Sequence, residues 1–512
     1  MKRAIIIFTT TFLFFIAVFS GCGGEKNISS VDITPPDLTV NIETESLSYQ
    51  AMSPVKFAAV VSGGDGDYSY VWDFNADDGY TLDGFQSNVQ YIYPESGVYT
   101  VSVHAADGRG ASGEADIEIS VKDKEYAVHE PIRLRDISPT PDKPYVIEGY
   151  EITNPSGNGI TLQRCNNVII RDCYIHDCER NKDEDGQAIL LENCGNITVQ
   201  RLYLNNNRSG FVANGNPDHL SSDFMIENNV IVGCVSNDAL SLVNVKNSEV
   251  RYNILYDNGT IWERRISGIS FNGEFHDISI HNNLVVKSDS DGIECLGYHW
   301  QDVAKNVEVY ENVLRDNGEQ GVWFSRINDG RIHHNYMEGS HNCGVCFDVL
   351  VSDVLIDHNI IVRCGGIPGM KHHGGSGIGL NFSPDNIIQS NICVDSTSGD
   401  ISISYREKDE EWINKIDDRS RRSEGNVIDG NVMCSSESNL NIDEGVSDPV
   451  ITNNVFCQRE NGRHYHGCSP DESNIKAKPL FRAPDRGDFN LLSASPGYEA
   501  VKPINEAIEN VR

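Results

Sequence analysis

Two acidic residues and a tryptophan stand at related positions of a short repeated motif in the middle of the chain. The motif is Gly-apolar-x-apolar, as in Gly292-Ile-Glu-Cys295 and Gly321-Val-Trp-Phe324. Glu294 and Trp323 occupy its third position, and Asp348 directly follows a later copy. Two carboxyl groups can supply the general acid and base that cleave a glycosidic bond, and an indole ring stacks on a sugar face. These residue types indicate carbohydrate chemistry, provided that the fold brings them together.

A second repeated phrase, Ile/Val-x-x-Asn-apolar, identifies the elements that must position these side chains. It occurs nine times, and its asparagines are Asn229, Asn253, Asn283, Asn312, Asn335, Asn359, Asn391, Asn431 and Asn454. Their spacings are 24, 30, 29, 23, 24, 32, 40 and 23 residues. A basic unit of about 23 residues with insertions in some copies is typical of a solenoid.

Each unit contains short runs of alternating apolar residues bounded by Gly, Asn and Asp, which predict strands separated by turns. No unit is long and periodic enough for a crossover helix. Three short strands per coil, stacked in register, predict an all-β fold, a right-handed parallel β-helix. We expect the repeated Asn at the turn between the second and third strands. There it would tolerate a left-handed backbone and hydrogen-bond its equivalents in neighbouring coils.

If the apolar residues of the Gly-apolar-x-apolar motif face inward, alternate residues of the first strand form two outward columns. The first column is Thr161, Leu190, Val212, Ser241, Ser270, Glu294, Trp323, Cys346, Gly379 and Ser402. The second is Gln163, Glu192, Asn214, Val243, Asn272, Leu296, Ser325, Asp348, Asn381 and Ser404. We therefore expect a long exposed face of polar, aromatic and acidic side chains, which suits a sugar polymer.

The insertions cluster beside the same strand, and long loops on a rigid scaffold often carry function. The loops are expected to wall a groove that contains Trp262, Arg264, Arg265, His299, Trp300, Arg326, His341, Lys371, His372, His373, Tyr405 and Arg406. The side chains that we expect to bind the substrate are Trp323, His299, Trp300, Asn272, Asn381, Tyr405 and Arg406.

Two reactions fit this groove. A hydrolase would use Glu294 and Asp348, which lie two coils apart, or about 10 Å along the stack at ~4.8 Å per strand. That separation is at or beyond the upper limit for an inverting glycosidase. A lyase would need a cation for a uronate carboxylate and a base for the α-proton. The residues available for those tasks are Arg326, Lys371, His372 and His373.

The N-terminus has the layout of a signal peptide, with Met1-Lys-Arg followed by an apolar run from Ala4 to Phe19. Ser20-Gly21-Cys22 resembles the lipobox of bacterial lipoproteins, although Phe19 stands where that family usually has Leu. The resemblance implies a lipoprotein signal over residues 1–22, with Cys22 lipidated and becoming the mature N-terminus, followed by a tether over 23–36. The alternatives are an ordinary cleaved signal and a single membrane anchor.

Residues 37–122 alternate like the strands of a small antiparallel sandwich. The segments Gly63–Phe74 and Tyr91–Val103 make this region similar to a PKD domain. The family's Trp-Asp-Phe-Gly-Asp-Gly appears here as Trp72-Asp-Phe-Asn-Ala-Asp-Asp-Gly79, with extra residues before the glycine. The resemblance implies an extracellular spacer, or a weak carbohydrate- or protein-contacting module, without chemistry of its own.

The β-helix is predicted over 127–470, and it resembles the pectate-lyase-like superfamily. Residues 471–512 resemble the closing segment of secreted β-helix proteins and are predicted to cap an open sheet edge. The superfamily implies carbohydrate but no single reaction. Polygalacturonase motifs and a calcium-binding acidic cluster of the pectate-lyase type are absent from the sequence. We therefore identify no cofactor and no metal ligands, and Ca²⁺ is left open as a bridging cation.

The net charge limits the classes of partner that the chain can bind, and the cysteine content limits the disulfides that it can form. A formal net charge of −34 excludes nucleic acid and disfavours a polyanionic substrate unless a basic patch or a cation offsets it. Apart from Cys22, thirteen cysteines remain, an odd number that argues against a disulfide framework. Cys165 and Cys194 occupy matching positions on adjacent coils, so a disulfide between them stays open. Cys343 and Cys346 are interpreted as packing residues.

The sequence therefore favours a monomeric lipoprotein at the cell surface or in the periplasm. Its predicted function is to cleave a polysaccharide as a glycoside hydrolase or polysaccharide lyase. The alternative is a non-catalytic glycan-binding or adhesive surface protein. A weaker hypothesis, based on scattered histidines, is a periplasmic β-helix that handles metal.

Overall fold

The computed structural model describes residues 37–78, 81–236, 238–259, 266–298, 304–365, 375–405, 416–435, 438–457 and 463–501. Within these ranges the chain is nearly all strand. The helical elements described are the α-helix Asp418–Arg421 and the 3₁₀ helices Ala76–Asp78 and Pro484–Arg486. The predicted all-β fold is confirmed: a small β-sandwich is followed by a right-handed parallel β-helix.

The sandwich consists of two antiparallel sheets with one parallel edge pairing. Three strands form the first sheet: Thr39–Thr44, Pro54–Ser62 and Asn88–Ile92. Four form the second, in the order Ser48–Gln50, Ser112–Lys122, Gly97–Asp107 and Tyr68–Asp73. Trp72 is fully buried between the sheets beside Phe57 and Phe74, so alternating apolar residues here build a core of their own.

The β-helix has three strands in each coil, as the sequence predicts. First strands lie at Ile132–Arg135, Ile160–Gln163, Gln187–Glu192, Ser209–Asn214, Ile293–Gly297, Val322–Ser325, Val345–Phe347, Ser376–Asn381, Gly399–Ser404, Ser438–Ile442 and Arg463–His466. Second strands lie at Tyr145–Glu148, Asn166–Arg171, Gly195–Gln200, Ser221–Glu227, Ala304–Tyr310, Ile327–His333, Ser352–Asp357, Ile387–Gln389, Val427–Asp429 and Val450–Thr452. In two coils one long strand supplies both, at Leu240–Arg251 and Ile269–His281.

The third strands form a separate parallel sheet. They lie at Ala127–Val128, Tyr150–Thr153, Tyr174–His176, Tyr203–Asn205, Val230–Val232, Ile254–Tyr256, Leu284–Val286, Val313–Arg315, Tyr336–Glu338, Ile360–Val362, Ile392–Val394, Val432–Cys434, Val455–Phe456 and Ile475–Lys476. Inward residues of all three strands make one continuous apolar core from Ile147 to Phe456. Period-2 alternation gives each strand an apolar inner side, and burying it is the main favourable term for such a fold.

The repeated asparagines form a buried ladder inside the turn between the second and third strands. Each Nδ2 donates to Oδ1 of the asparagine one coil on, at 2.9–3.1 Å from Asn229 through Asn454. The predicted hydrogen bonding is therefore confirmed. The ladder extends one coil further than predicted, because Asn454 donates to Asn474.

The predicted backbone conformation of the ladder residues is wrong. The left-handed position belongs to the residue before each asparagine, as in Asn282 with φ 52° before Asn283. Asn283 instead directs its amide inward, donating to the carbonyls of His281 and Val250 at 3.0 and 2.9 Å. The preceding residue makes the turn, which leaves the asparagine free to bond four neighbours.

The outer face of the third strands is apolar and covered. One column of it runs Tyr203, Val230, Ile254, Leu284, Val313, Tyr336, Ile360, Ile392, Val432 and Val455. Met52, Val71 and Ile92 of the sandwich pack in the same cluster, with Phe489 and Leu491 from the C-terminal segment. The spacer expected from the PKD resemblance is therefore wrong: this sandwich is docked along the side of the helix.

A C-terminal hairpin fastens the sandwich in place. Its strands are Phe481–Ala483 and Asp488–Leu491. The Arg482 side chain is fully buried and forms an ion pair with Asp67 at 2.5 Å. Asp488 accepts a hydrogen bond from Ser69 at 2.5 Å. A buried ion pair that bonds backbone carbonyls as well, as Arg482 does, fixes one geometry between two elements.

The cysteines are almost all buried. A disulfide joins Cys434 to Cys457 on adjacent coils, a pairing that the sequence did not suggest. Cys165 and Cys194, the pair left open above, carry free thiols. Cys343 and Cys346 are also buried, in agreement with the packing interpretation.

The ladder predicts a large stability loss from one substitution in its middle. Asn335→Ala removes the acceptor for two donors of Asn312 and the donor to Asn359, leaving buried groups without partners. We expect the free energy of unfolding to fall by about 3 kcal/mol or more. Urea unfolding followed by circular dichroism measures this loss. Asn41→Ala, at an exposed strand position, is the control and should change stability by less than about 0.5 kcal/mol. Equal effects of the two substitutions would contradict the role of the ladder.

Candidate functional site

The first-strand sheet presents the predicted outward column in the predicted order. Ser241, Ser270, Glu294, Trp323 and Cys346 are register partners on five consecutive coils. The expectation of a long exposed face is wrong, however. Ser270 is 0% exposed and Cys346 is 4% exposed, while Glu294 and Trp323 are half-buried. The middle of this face is therefore largely buried.

Two carboxyl groups on this face are joined through one serine. The backbone N–H of Ser267 donates to Oδ1 of Asp238 at 2.9 Å, and its hydroxyl donates to Oε2 of Glu294 at 3.0 Å. The Ser270 hydroxyl also donates to Asp238, at 2.6 Å. Since Ser267 bonds both groups, their oxygens lie within roughly 9.5 Å of each other, the upper limit for the carboxyl pair of an inverting glycosidase.

A third carboxyl group lies behind the first two. Asp291 is fully buried and accepts the backbone N–H of Gln320 at 2.9 Å and the Ser290 hydroxyl at 3.1 Å. It is close enough to Glu294 for the charge of Glu294 to raise the pKa of Asp291. Asp291 is therefore a buried electrostatic neighbour of Glu294.

Burial raises the pKa of all three carboxyl groups in this cluster, and repulsion between like charges adds to the rise for Glu294 and Asp291. Burial and the charge of Asp238 raise the pKa of Glu294 to about 7, against hydrogen bonds from Ser267 and Asn272. Burial and the charge of Glu294 raise the pKa of Asp291 well above its usual range. Burial also raises the pKa of Asp238, and its two serine donors oppose that rise. Glu294 can therefore hold and release a proton near neutral pH.

Asp238 and Asp291 were not among the sequence candidates. Both stand two residues before the first inward apolar residue of a first strand, in Asp238-Ala-Leu and Asp291-Gly-Ile. The corresponding coils carry Ser267 and Gln320 there. Acidic residues at this one position of the repeat, which lies outside the outward columns, were the available signal.

Four buried polar atoms on the three coils after that of Glu294 have no hydrogen-bond partner within the part of the chain that the structure describes. They are Oε1 of Gln320, Nε1 of Trp323, Nδ1 of His341 and Nδ2 of Asn381. An unpaired buried donor or acceptor costs free energy, so these atoms are candidates for contact with a ligand.

The remaining described candidates lie at increasing distance from Glu294. Asn272 lies one coil away, two residues beyond Ser270, which is the register partner of Glu294. Asp348 lies two coils away and interacts with Arg326. Burial lowers the pKa of Arg326, and the negative charge of Asp348 only partly opposes that shift. Tyr405 follows a first strand four coils away, where the Arg422 guanidinium covers its ring at 5.7 Å. The structure thus groups Glu294 with Trp323 and Asn272 rather than with Tyr405.

Several sequence candidates lie outside the described residues. They are Cys22, Trp262, Arg264, Arg265, His299, Trp300, Lys371, His372, His373 and Arg406. Among the described ranges, no group of three or more His, Cys, Asp and Glu side chains has the arrangement of a metal site. No described helix combines the length and apolarity needed to span a membrane.

Three family models match parts of the chain. The right-handed β-helix region matches residues 137–285, and the PKD domain matches residues 37–121. A model described as periplasmic copper-binding protein (NosD) matches residues 255–423. Each covers less than half of the chain. No curated protein matches the sequence.

Several solved structures match the chain at low identity and low TM-score. The A-module of mannuronan C-5 epimerase AlgE4 from Azotobacter vinelandii is 16% identical, with a TM-score of 0.43, covering 64% of this chain and 89% of its own. A GH87 α-1,3-glucanase from Streptomyces thermodiastaticus is 11% identical, with a TM-score of 0.42, and the match covers 84% of this chain and 91% of the glucanase. PfbA, a surface adhesin of Streptococcus pneumoniae, is 12% identical, with a TM-score of 0.41, and the match covers 63% of this chain and 88% of the adhesin. Likeness at this level says nothing of the reaction.

The raised pKa of Glu294 predicts that stability falls as pH rises toward neutrality. The folded protein holds this proton more tightly than the unfolded chain, where Glu titrates near 4.5. Its contribution is therefore fully present below about pH 4.5 and lost between about pH 4.5 and 7. We expect Glu294→Gln to flatten this part of the stability profile, measured as the melting temperature across that range. Glu192→Gln, on the same sheet, should leave it unchanged. An unaltered slope in Glu294→Gln would contradict the assignment.

Proposed function

We propose that the chain is a carbohydrate-active β-helix enzyme that hydrolyses a glycosidic bond in a polysaccharide. The observation that carries the proposal is the serine-bridged pair of Asp238 and Glu294, in which burial raises the pKa of both carboxyl groups, that of Glu294 to about 7. A carboxyl group that holds its proton near neutral pH can act as a general acid. Trp323, on the next coil, supplies an aromatic surface beside them.

In this mechanism Glu294 is the general acid and Asp238 the general base. Glu294 gives its proton to the glycosidic oxygen as the bond between that oxygen and the anomeric carbon breaks. Asp238 takes a proton from the water molecule that attacks the anomeric carbon, so each product ends in a hydroxyl group. The buried Asp291 helps Glu294 to keep its proton, because two neighbouring carboxyl groups resist ionising together. Solvent then carries the proton from Asp238 back to Glu294.

The surrounding polar atoms support substrate binding. The unpaired indole N–H of Trp323 and the amide of Asn381 offer donors for sugar hydroxyl groups, and Oε1 of Gln320 offers an acceptor. The net charge of −34 and the cluster of acids disfavour a polyanionic chain at this site. A neutral polysaccharide is therefore the substrate class that we propose.

Activity on a panel of neutral and uronate polysaccharides tests this function. With wild-type protein from residue 23 onward, we expect new reducing ends without the ultraviolet absorbance of an unsaturated uronate. Glu294→Gln and Asp238→Asn should each lower the rate at least about 100-fold, because each removes one proton transfer. Glu192→Gln is the control on the same sheet and should retain activity.

Other outcomes would replace the proposal. Unsaturated products would make the protein a lyase and direct attention to Arg326, Lys371, His372 and His373. Glycan binding without cleavage would favour the adhesive alternative. Full activity in Glu294→Gln would remove the acid–base assignment.

We also propose that the protein is a lipoprotein of the bacterial envelope, anchored through Cys22. The Ser20-Gly21-Cys22 sequence after an apolar run supports this location. We expect wild-type protein expressed in bacteria to fractionate with membranes and its N-terminal peptide to carry an acyl mass. Cys22→Ser should lose that mass, while Cys468→Ser, a free cysteine elsewhere, should not. An unmodified N-terminus in the wild type would contradict the anchor.

A further inference from the structure

A cavity of about 1030 Å³ lies between the sandwich and the β-helix, on a different corner of the coil from the acid cluster. One wall is the sandwich strand that carries Tyr91, with the preceding loop. The other wall is the turn between the second and third strands of successive coils. Its size is at the upper end for sites that bind a small molecule.

The helix wall repeats at the spacing of the coils. Asn228, Tyr252, Asn282 and Glu311 occupy the left-handed turn position on four consecutive coils, with φ of 59°, 52°, 52° and 53°. Stacked coils place them about 4.8 Å apart. This spacing is close to the length of one sugar unit. An extended oligosaccharide would therefore meet the side chain of an equivalent turn position at each sugar.

Direct side-chain contacts hold the two walls of the cavity together. The Gln90 side chain donates to the Asn228 side chain across the cavity. Arg315 of the helix pairs with Asp83 of the sandwich at 2.8 Å, and both side chains are almost buried. A site that is already formed loses less conformational freedom on binding.

The lining offers aromatic surface and unsatisfied polarity. Nε2 of Gln86 is buried and has no hydrogen-bond partner among the described residues. Tyr252 is half-buried at the turn, with the His281 ring edge-on at 6.1 Å. Planar amides and a tyrosine ring are the groups that bind hydroxyl-rich rings.

The charge of the lining excludes acidic ligands. Five carboxylates line the cavity against two cations, Lys56 and Arg251. Arg251 is bound by Glu227 at 2.9 Å, so it is not available to a ligand anion. An excess of negative charge repels uronates and sulfated sugars.

We infer that this cavity is a second carbohydrate site, which binds a neutral oligosaccharide apart from any catalytic site. The repeated turn positions would follow the chain of sugars, and Tyr252 would stack on one ring. The ligand stays bound here while another part of the same polymer reaches the first-strand face. The site does not depend on the proposed hydrolysis.

Calorimetry on the Glu294→Gln protein tests the inference, because that background prevents turnover. The probes are the neutral hexasaccharides of cellulose, xylan, mannan and laminarin, with hexagalacturonate as the acidic comparison. We expect one neutral probe to bind and Tyr252→Asn to weaken it about tenfold or more. Asparagine suits the left-handed turn, as the neighbouring coils show, so this variant keeps its fold.

Two further variants complete the test. Tyr145→Asn changes an exposed tyrosine elsewhere on the helix and should leave binding unchanged. Tyr252→Asn in the otherwise wild-type protein should retain cleavage of short substrates, which separates this site from the first-strand face. The inference is overturned if no neutral probe binds, if hexagalacturonate binds more tightly, or if Tyr252→Asn binds as well as its parent.

Discussion

The asparagine ladder is the interaction on which the rest of this structure depends. Parallel strands of three residues are too short to fix their own register, and a slip of one residue would turn every side chain to the opposite face. The ladder removes that freedom, because each amide must meet its equivalent one coil away, at 2.9–3.1 Å. Insertions of many residues between coils leave the ladder intact. Loops can therefore vary beside a core that does not.

The site follows from that fixed register. Serine and acid side chains from three coils meet only because their strands stack in step, with Ser267 between Asp238 and Glu294. Their proton affinities then follow from burial and from like charges held at short range. The cluster destabilises the fold locally and is tolerated because the surrounding sheet is rigid. Strain of this kind is typical of functional sites.

The sequence predicted the coil order and the outward column down to single residues, since strands alternate with a strict period of two. It could not show that Ser270 and Cys346 are covered, because burial there depends on chain segments distant in sequence. Asp291 was missed since it precedes the strand, where alternation makes no prediction. The sequence analysis missed the docking of the sandwich, although every repeat unit contains an indication of it. The residue after each ladder asparagine is apolar and faces outward, so this outer surface must be covered by another part of the chain.

The hairpin that carries Arg482 has a consequence for the order of folding. Asp67 and Arg482 are 415 residues apart, so their ion pair cannot form until residue 482 has been synthesised. Until then the apolar outer column of the third strands lacks Phe489 and Leu491, two of the side chains that cover it. A chain cut short before residue 481 would keep its coils, its sandwich and the Arg315–Asp83 ion pair between them, but it would lose the contacts of Arg482 with Asp67. The hairpin thus adds its contacts to the sandwich only after the coils of the helix have been made.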